Sequence, residues 1–304
     1  MYSINDNLKM DHKHLLLCGE CQCKESFEYF IEQYTQFNKI YKNVSMLVVV
    51  FDKHNYQVNI DSLTNIYVLY IDLDKLKSQT VVRNMYNKHC NEELFGFVFN
   101  EILSELKKPI YQSIDNLIYM SSLSQKSALP MNKIIQITNK HSNFDIVFSN
   151  DLSNSIFYYA YRCDKNPIGI EILGQHWESE LKTQIQKTIQ TSSEEYMPIL
   201  SGYSSITLFN MNTLRNFDLN CSCIPSYDVD YYYRSICNDI ILSTQETINH
   251  TLMGMYLFEN SPVFYRFHHA LNYPIVHPFV NLCFTLQKNK QKATNIYVCK
   301  TLTL

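Results

Sequence analysis

Glycine is scarce in this chain, with 6 residues in 304 against a usual share of about 7%. That scarcity excludes the glycine-rich cradles on which many enzymes seat phosphates with bare backbone. There is no Gly-x-Gly-x-x-Gly and no Gly-rich loop ending in Lys-Ser or Lys-Thr. A Gly-x-Ser-x-Gly elbow and the kinase strings are also missing, so no catalytic triad or kinase can be argued. Excess charge of either sign is lacking: 26 Lys and Arg against 29 Asp and Glu leave a formal charge of −3. Such a chain has no global field to draw it onto nucleic acid or an anionic membrane, and no nucleic-acid partner is expected. Long apolar runs are absent too. Runs such as residues 46–51 fall far short of the ~20 residues of a membrane span, and residues 1–11 are polar, without the apolar region of a signal peptide. With 10 cysteines and no signal peptide, the expectation is a cytoplasmic protein whose thiols serve as small buried hydrophobes. The Asn-x-Ser/Thr matches at Asn43, Asn220 and Asn249 then read as chance.

What the chain does have is core material: 46% of its residues are hydrophobic and 13% aromatic, including 23 Tyr. The first half alternates strand-like and helix-like segments. Residues 14–19 (His-Leu-Leu-Leu-Cys-Gly) read as a first buried strand, and residues 24–41 as an amphipathic helix with Phe27, Phe30, Ile31, Tyr34, Phe37 and Ile40 at helical spacing. Residues 46–51 and 66–71 follow as strands. Residues 81–106 form a helix stopped by Pro109, and residues 117–120 and 144–148 two more strands. In the second half, residues 178–191 read as a polar helix and 205–209 as a strand. Residues 227–242 are Tyr-rich and helix-compatible, and 276–286 and 294–302 look like terminal strands. Alternation of this kind predicts an α/β fold with a mainly parallel sheet and helices on both faces. Ligands of such sheets bind beyond the carboxyl ends of the strands, which places the cleft at the loops after Phe51, Ile71, Met120 and Phe148.

Several strings, taken in order, resemble a known pattern. Residues 80–84 (Thr-Val-Val-Arg-Asn) open the second long helix. Residues 117–125 (Leu-Ile-Tyr-Met-Ser-Ser-Leu-Ser-Gln) are a strand running into a polar loop. Residues 144–150 (Phe-Asp-Ile-Val-Phe-Ser-Asn) precede 157–162 (Phe-Tyr-Tyr-Ala-Tyr-Arg); then come 198–209 and the Cys-rich 221–227. The series resembles GT-A-fold glycosyltransferases, in particular the glycosyltransferase-like proteins of large DNA viruses and some microbes. The resemblance spans roughly residues 14 to 230. It implies a GT-A-like nucleotide-sugar-binding domain over residues 1–230, with residues 231–304 as a C-terminal elaboration packed on it, and the cytoplasm of a host or a virion as the location if the chain is viral.

In that family the strand matching residues 117–120 ends in Asp-x-Asp, whose carboxylates hold the divalent metal that neutralises the departing nucleoside diphosphate. Here the matching positions are Ser122, Leu123 and Ser124. The Gly-Gly expected before the 206–209 strand is Ser204-Ser205, and the acidic and histidine block after Cys221 is matched only through the cysteine. The resemblance therefore implies a degenerate glycosyltransferase that keeps a nucleotide-sugar scaffold and needs no cofactor. The alternative is an active enzyme that moves a sugar from a nucleoside-diphosphate donor to a protein or glycan hydroxyl. It would use Mn²⁺ or Mg²⁺ held by Asp72 and Asp74, an Asp-x-Asp one strand too early for the family order. The same resemblance assigns Arg83 and Asn84 to the donor's phosphates. It sets Ser122, Ser124, Asn150, Arg162 and Trp177 around the nucleotide sugar, and leaves Glu171 and Glu178 as the nearest acids to serve as catalytic base. Each has a plainer reading: helix-capping acids, surface arginine, structural hydrogen bonds, packing tryptophan.

Three further readings stay open on the residues alone. Cys18, Cys21 and Cys23 with Cys221 and Cys223 form a thiol set for zinc, though without finger spacing. His250, His268, His269 and His277 are a looser metal candidate. Tyr231, Tyr232 and Tyr233 suit an interface, in a structural or interaction protein that reuses the fold, with a protein partner or a second copy as its ligand.

Overall fold

A computed structural model of the chain describes residues 10–21, 23–51, 64–72, 90–121, 129–140, 143–151, 160–163, 178–221, 224–225, 275–290 and 294–303. Within these, runs such as Leu15–Cys18 and Met46–Val50 are apolar at every position. They can be satisfied only in strands covered on both sides. They form strands β1 (Met10–Cys21) and β2 (Tyr41–Phe51), and every side chain of both runs is buried. Between them, Phe30, Tyr34 and Phe37 recur on one face of helix α1 (Lys24–Ile40), the spacing that returns a parallel strand to the same sheet. Strand β3 (Ile66–Ile71), helix α2 (Cys90–Glu105), strand β4 (Asn116–Met120), helix α3 (Met131–Lys140) and strand β5 (Ile146–Ser149) continue the alternation. Helix α4 (Glu178–Thr191), strands β6 (Tyr196–Pro198) and β7 (Ile206–Asn210), and helix α5 (Met211–Asn216) follow. Strands β8 (Ile224–Pro225) and β9 (Ile275–Val276), helix α6 (Pro278–Lys290) and strand β10 (Ile296–Cys299) complete the set.

Eight strands make one sheet in the order β3-β2-β1-β4-β7-β5-β10-β6. β1 pairs in parallel with β2 and β4, β2 with β3, and β5 with β10. β7 lies antiparallel between β4 and β5, and β6 antiparallel on β10. The sheet is thus mixed and mainly parallel, as the alternation predicts. β8 and β9 pair in a separate two-stranded sheet. Odd and even strand positions divide cleanly between two cores. Leu15, Leu17, Val48, Val50 and Ile118 join α1 and α3 on one face. Leu16, Cys18, Leu47, Val49, Leu117 and Tyr119 join α2, α4 and α6 on the other.

The expected strand over residues 276–286 is corrected to helix α6. Pro278 through Phe284 and Leu286 are all buried, so the first two turns show no solvent face. Periodicity alone does not separate such a helix from a buried strand, but proline at its first position is a helix-start signal. Residues 296–299 do form the expected strand, in the sheet's interior between β5 and β6. The α2 expectation is met over Cys90–Glu105; its residues 81–89 and the Tyr-rich 227–242 lie outside the described residues. Among the described residues no helix is long and apolar enough to cross a membrane.

The amino ends of the central strands are tied down by polar groups. Asp145 accepts from Thr213 Oγ1 at 2.7 Å, Lys290 Nζ at 2.6 Å and the Asn295 N–H at 2.8 Å. Arg215 donates to the carbonyls of Tyr111, Gln112 and Ile114, and Asp115 accepts the His14 N–H. These partners are met within the fold, away from the carboxyl ends of the strands.

Candidate functional site

At the carboxyl edge of a mainly parallel sheet, strand ends present side chains and loops together, and ligands settle there. In this fold that edge consists of Glu20 and Cys21 on β1, Phe51 on β2, Asp72 after β3, Ser121 after β4, and Asn150 and Asp151 after β5. The antiparallel β7 enters the same edge through Ser204 and Ser205.

Glu20 is the unexpected member. Gly19 is level with Met120 in the β1–β4 register, so Glu20 stands level with Ser121. Gly19 has a steric reason: a Cβ there would sit 2.1 Å from Phe30 Cζ and 2.8 Å from the Met120 carbonyl. By alternation Glu20 and Tyr119 share the face covered by α2 and α6. The Glu20 side chain is buried, and its Oε1 accepts the Tyr119 hydroxyl at 2.6 Å. Burial pushes the Glu20 carboxyl up from its ordinary pKa, and the bond from Tyr119 only partly opposes this. The same burial, with Glu20 beside it, raises the Tyr119 phenol well above its usual range.

Tyr203 extends the group. It is buried, is hydrogen-bonded to Ser121, and feels both Glu20 and Asp151; burial dominates and its phenol too is held neutral. Its ring lies 4.4 Å from that of His277. Phe95 packs edge-on against Tyr119 and Tyr203. His277 Nδ1 accepts the Phe279 N–H at 3.2 Å, so the neutral ring carries its proton on Nε2. Burial and then the nearby Arg162 push its pKa down to about 3. Arg162 is fully buried. Its Nη1 donates to the Tyr161 carbonyl at 2.8 Å, and its backbone bridges to Ser201.

A run of hydroxyls crosses from β4 to β5. The Ser121 N–H donates to the Ser205 carbonyl at 2.9 Å, and Ser205 Oγ donates to Asp151. The Ser149 N–H donates to Ser204 Oγ at 2.9 Å, and Ser204 Oγ to the Ile206 carbonyl at 2.6 Å. Asn150 is anchored through its N–H to the Leu302 carbonyl at 2.7 Å and its Nδ2 to the Lys300 carbonyl at 3.1 Å. Its Oδ1 is buried and has no hydrogen-bond partner among the described residues.

Of the residues expected from sequence, the fold brings Asn150 and Arg162 to this edge, the second through its neighbour His277. Asp72 stands exposed just beyond β3, the border strand of the sheet. Three strand spacings of about 4.8 Å separate it from β4, so it is some way from the Ser121 end. Arg83, Asn84, Ser122, Ser124, Glu171, Trp177 and Asp74 lie outside the described residues, and Glu178 is described only as the first residue of α4. Sequence reasoning passed over Glu20, Tyr119, Ser121, Asp151 and Tyr203, and weighed His277 only as a metal ligand. A signal for the first was present: an acid directly after the buried run Leu15–Gly19 stands where a parallel strand delivers residues to its ligand edge.

The zinc reading meets a geometric obstacle, because Cys18 and Cys21 fall into the two cores on opposite faces of the sheet. Of the seven cysteines whose side chains are described, six are buried and Cys23 is exposed. Of the four histidines considered for a metal, His277 is the one described, and its Nδ1 is taken by a backbone N–H.

No family model and no curated protein matches this sequence. Among solved structures, the chain is similar to the galactosyltransferase LgtC in complex with donor and acceptor sugar analogues, with 7% identity, 76% of this chain and 65% of that one covered, and a TM-score of 0.34. It is also similar to mouse xyloside xylosyltransferase 1, with 9% identity, 75% and 76% coverage and a TM-score of 0.35. For the mannosyltransferase Ktr4p of S. cerevisiae the figures are 10%, 70% and 61%, with a TM-score of 0.31. The chain spans less than two thirds of the length of the galactosyltransferase and of the mannosyltransferase.

Proposed function

We propose that this chain is a GT-A-like glycosyltransferase relative that binds a nucleotide sugar at the carboxyl edge of its sheet and has lost metal-dependent transfer. One observation carries the reading. β4 is an interior strand that runs to Met120 and delivers Ser121 to the edge, and the chain continues Ser122-Leu123-Ser124 where the resemblance expects Asp-x-Asp. A divalent cation that bridges a diphosphate needs hard, anionic oxygen ligands. The described groups at this point are the Ser121 hydroxyl, a Glu20 carboxyl that burial drives toward its neutral form, and Asp151, already bonded by Ser205. That donor set does not fit Mn²⁺ or Mg²⁺. What the edge does offer is Asn150 Oδ1, a buried acceptor without a hydrogen-bond partner among the described residues, which suits the hydroxyl of a sugar.

The test is a thermal-shift series with UDP-sugars and GDP-sugars, with and without Mn²⁺, alongside an assay for sugar release. A ligand that binds only the folded chain adds about 2.7 kcal/mol at a hundred times its Kd. The expected result is stabilisation by at least one donor, indifferent to Mn²⁺, with no sugar released. Stabilisation that requires Mn²⁺ and disappears in Asp72→Ala/Asp74→Ala, with sugar released, would establish the active alternative. No shift with any donor, together with self-association, would establish the interaction protein.

A further inference from the structure

We propose that the amino end of the sheet carries a second site, an acyl-transfer site in which Ser113 is the nucleophile and His14 its general base, acting on activated esters of the aryl or thioester class. The inference is independent of the nucleotide-sugar reading, since the two sites lie at opposite ends of the strands. Its basis is three side chains far apart in sequence. His14 stands on β1, Ser45 on β2, and Ser113 in the segment between α2 and β4. His14 Nδ1 is 3.1 Å from Ser113 Oγ, and His14 Nε2 is 3.0 Å from Ser45 Oγ. By alternation His14 and Ser45 share the face of the sheet that carries Leu16 and Leu47. Ser45 is buried, His14 is half-buried and Ser113 is exposed. The imidazole therefore links a hydroxyl in the interior to one open to solvent, the order in which an orienting group, a base and a nucleophile must stand.

The surroundings hold the three in place. The Asp115 carboxylate accepts the His14 N–H at 2.8 Å, and the Asp115 N–H donates to the His14 carbonyl at 2.9 Å, which clamps the histidine backbone to the start of β4. Arg215 fixes the serine's segment: Nη1 donates to the carbonyls of Tyr111 and Gln112, and Nη2 to that of Ile114, on either side of Ser113. Burial holds the imidazole below its ordinary pKa against the opposing pull of Asp115, so it is an unprotonated base at neutral pH. In the reactive tautomer Nε2–H donates to Ser45 Oγ, and Nδ1 accepts from the Ser113 hydroxyl. Ser113 Oγ then bonds to the acyl carbon while its proton passes to Nδ1. The imidazolium, stabilised by the charge of Asp115, returns that proton to the departing phenolate or thiolate. Water, deprotonated by the same nitrogen, cleaves the acyl-serine and releases the carboxylic acid and the Ser113 hydroxyl. The Arg215 guanidinium brings positive charge to this segment against the oxyanion. Esters whose leaving group departs readily are the class such an open site can turn over.

The experiment treats the full chain with a fluorophosphonate probe and, separately, with p-nitrophenyl acetate, and locates the modified residue by peptide mass spectrometry. The expected result is a phosphonylated Ser113 and a burst of nitrophenolate, both lost in Ser113→Ala, which removes an exposed hydroxyl and leaves the fold intact. His14→Gln should slow labelling by about 10²–10⁴-fold, the usual share of a general base. Ser45→Ala keeps the base but not its orientation, and should slow turnover of p-nitrophenyl acetate by a smaller factor that falls on kcat and not on KM. Circular dichroism checks the fold of each variant. Absence of label at Ser113 in the folded natural chain would overturn the site. So would labelling at an unchanged rate in folded His14→Gln or, where that variant does not fold, an unchanged kcat in Ser45→Ala.

Discussion

Replacing Glu20 by Gln isolates one buried proton, and its effect on folding needs no ligand. The folded chain holds the Glu20 carboxyl at a raised pKa because burial removes solvent from its charge. The unfolded chain releases the same proton near the ordinary glutamate value, about 4.3. Between those two values the folded state binds more protons than the unfolded one, so stability falls as pH rises. It falls by up to about 1.4 kcal/mol per pH unit for this one group, and levels off once the folded carboxyl ionises. At 8% exposure solvent does little to screen the effect. Gln preserves the shape and the acceptor for the Tyr119 hydroxyl and has no proton to lose. The variant should therefore gain on the natural chain at each step above the ordinary glutamate value until the folded carboxyl ionises. Entropy scales with length, so each kcal/mol moves the midpoint of a chain this size by about 2 °C. Calorimetric melts at half-unit pH steps read the difference directly, because other titrating groups cancel between the two proteins. Melting profiles that run parallel would refute the burial argument for Glu20.

His277 should produce the opposite limb. Its folded pKa of about 3 lies below the usual 6.5, so the stability it contributes is intact above 6.5 and is lost as pH falls toward 3. His277→Asn keeps an acceptor for the Phe279 N–H and should flatten that acid limb in the same melts. Gly96, in the middle of α2, faces the Cys221 carbonyl, which would be 2.3 Å from an alanine Cβ, with Pro278 Cγ at 3.0 Å. Alanine gains up to about 1 kcal/mol in helix propensity but must push back a backbone carbonyl, and overpacking costs about 1–3 kcal/mol. Urea melts of Gly96→Ala should therefore show a net loss. Asp145→Ala strands the half-buried Lys290 ammonium, the Thr213 hydroxyl and the Asn295 N–H, and should cost about 3–5 kcal/mol. The double variant with Lys290→Met should recover part of that loss if the ion pair is the main coupling.

The scaffold was legible wherever one physical signal governed a segment. Alternating buried runs and amphipathic stretches marked β1, α1, β2, β3, β4 and α4, because burial on two faces or on one stripe leaves a pattern in the chain itself. The signal failed in α6, where burial on every side of its first two turns erased the pattern. It failed also for α3 and β6, short elements whose identity depends on neighbours: β6 exists through its pairing with β10, a strand about a hundred residues later. Register was not legible at all, and register is what sets Glu20 beside Ser121 and Ser121 beside Ser205.

The candidate site was half legible for the same reason. A search for chemistry by residue type favours conspicuous acids, so it settled on Asp72 and Asp74. It passed over Glu20, because one glutamate after a leucine run resembles any strand end. Position in the sheet reverses the weighting. Asp72 stands exposed just beyond the border strand. Glu20 lies between two interior strands, where charge is expensive and protonation relieves it.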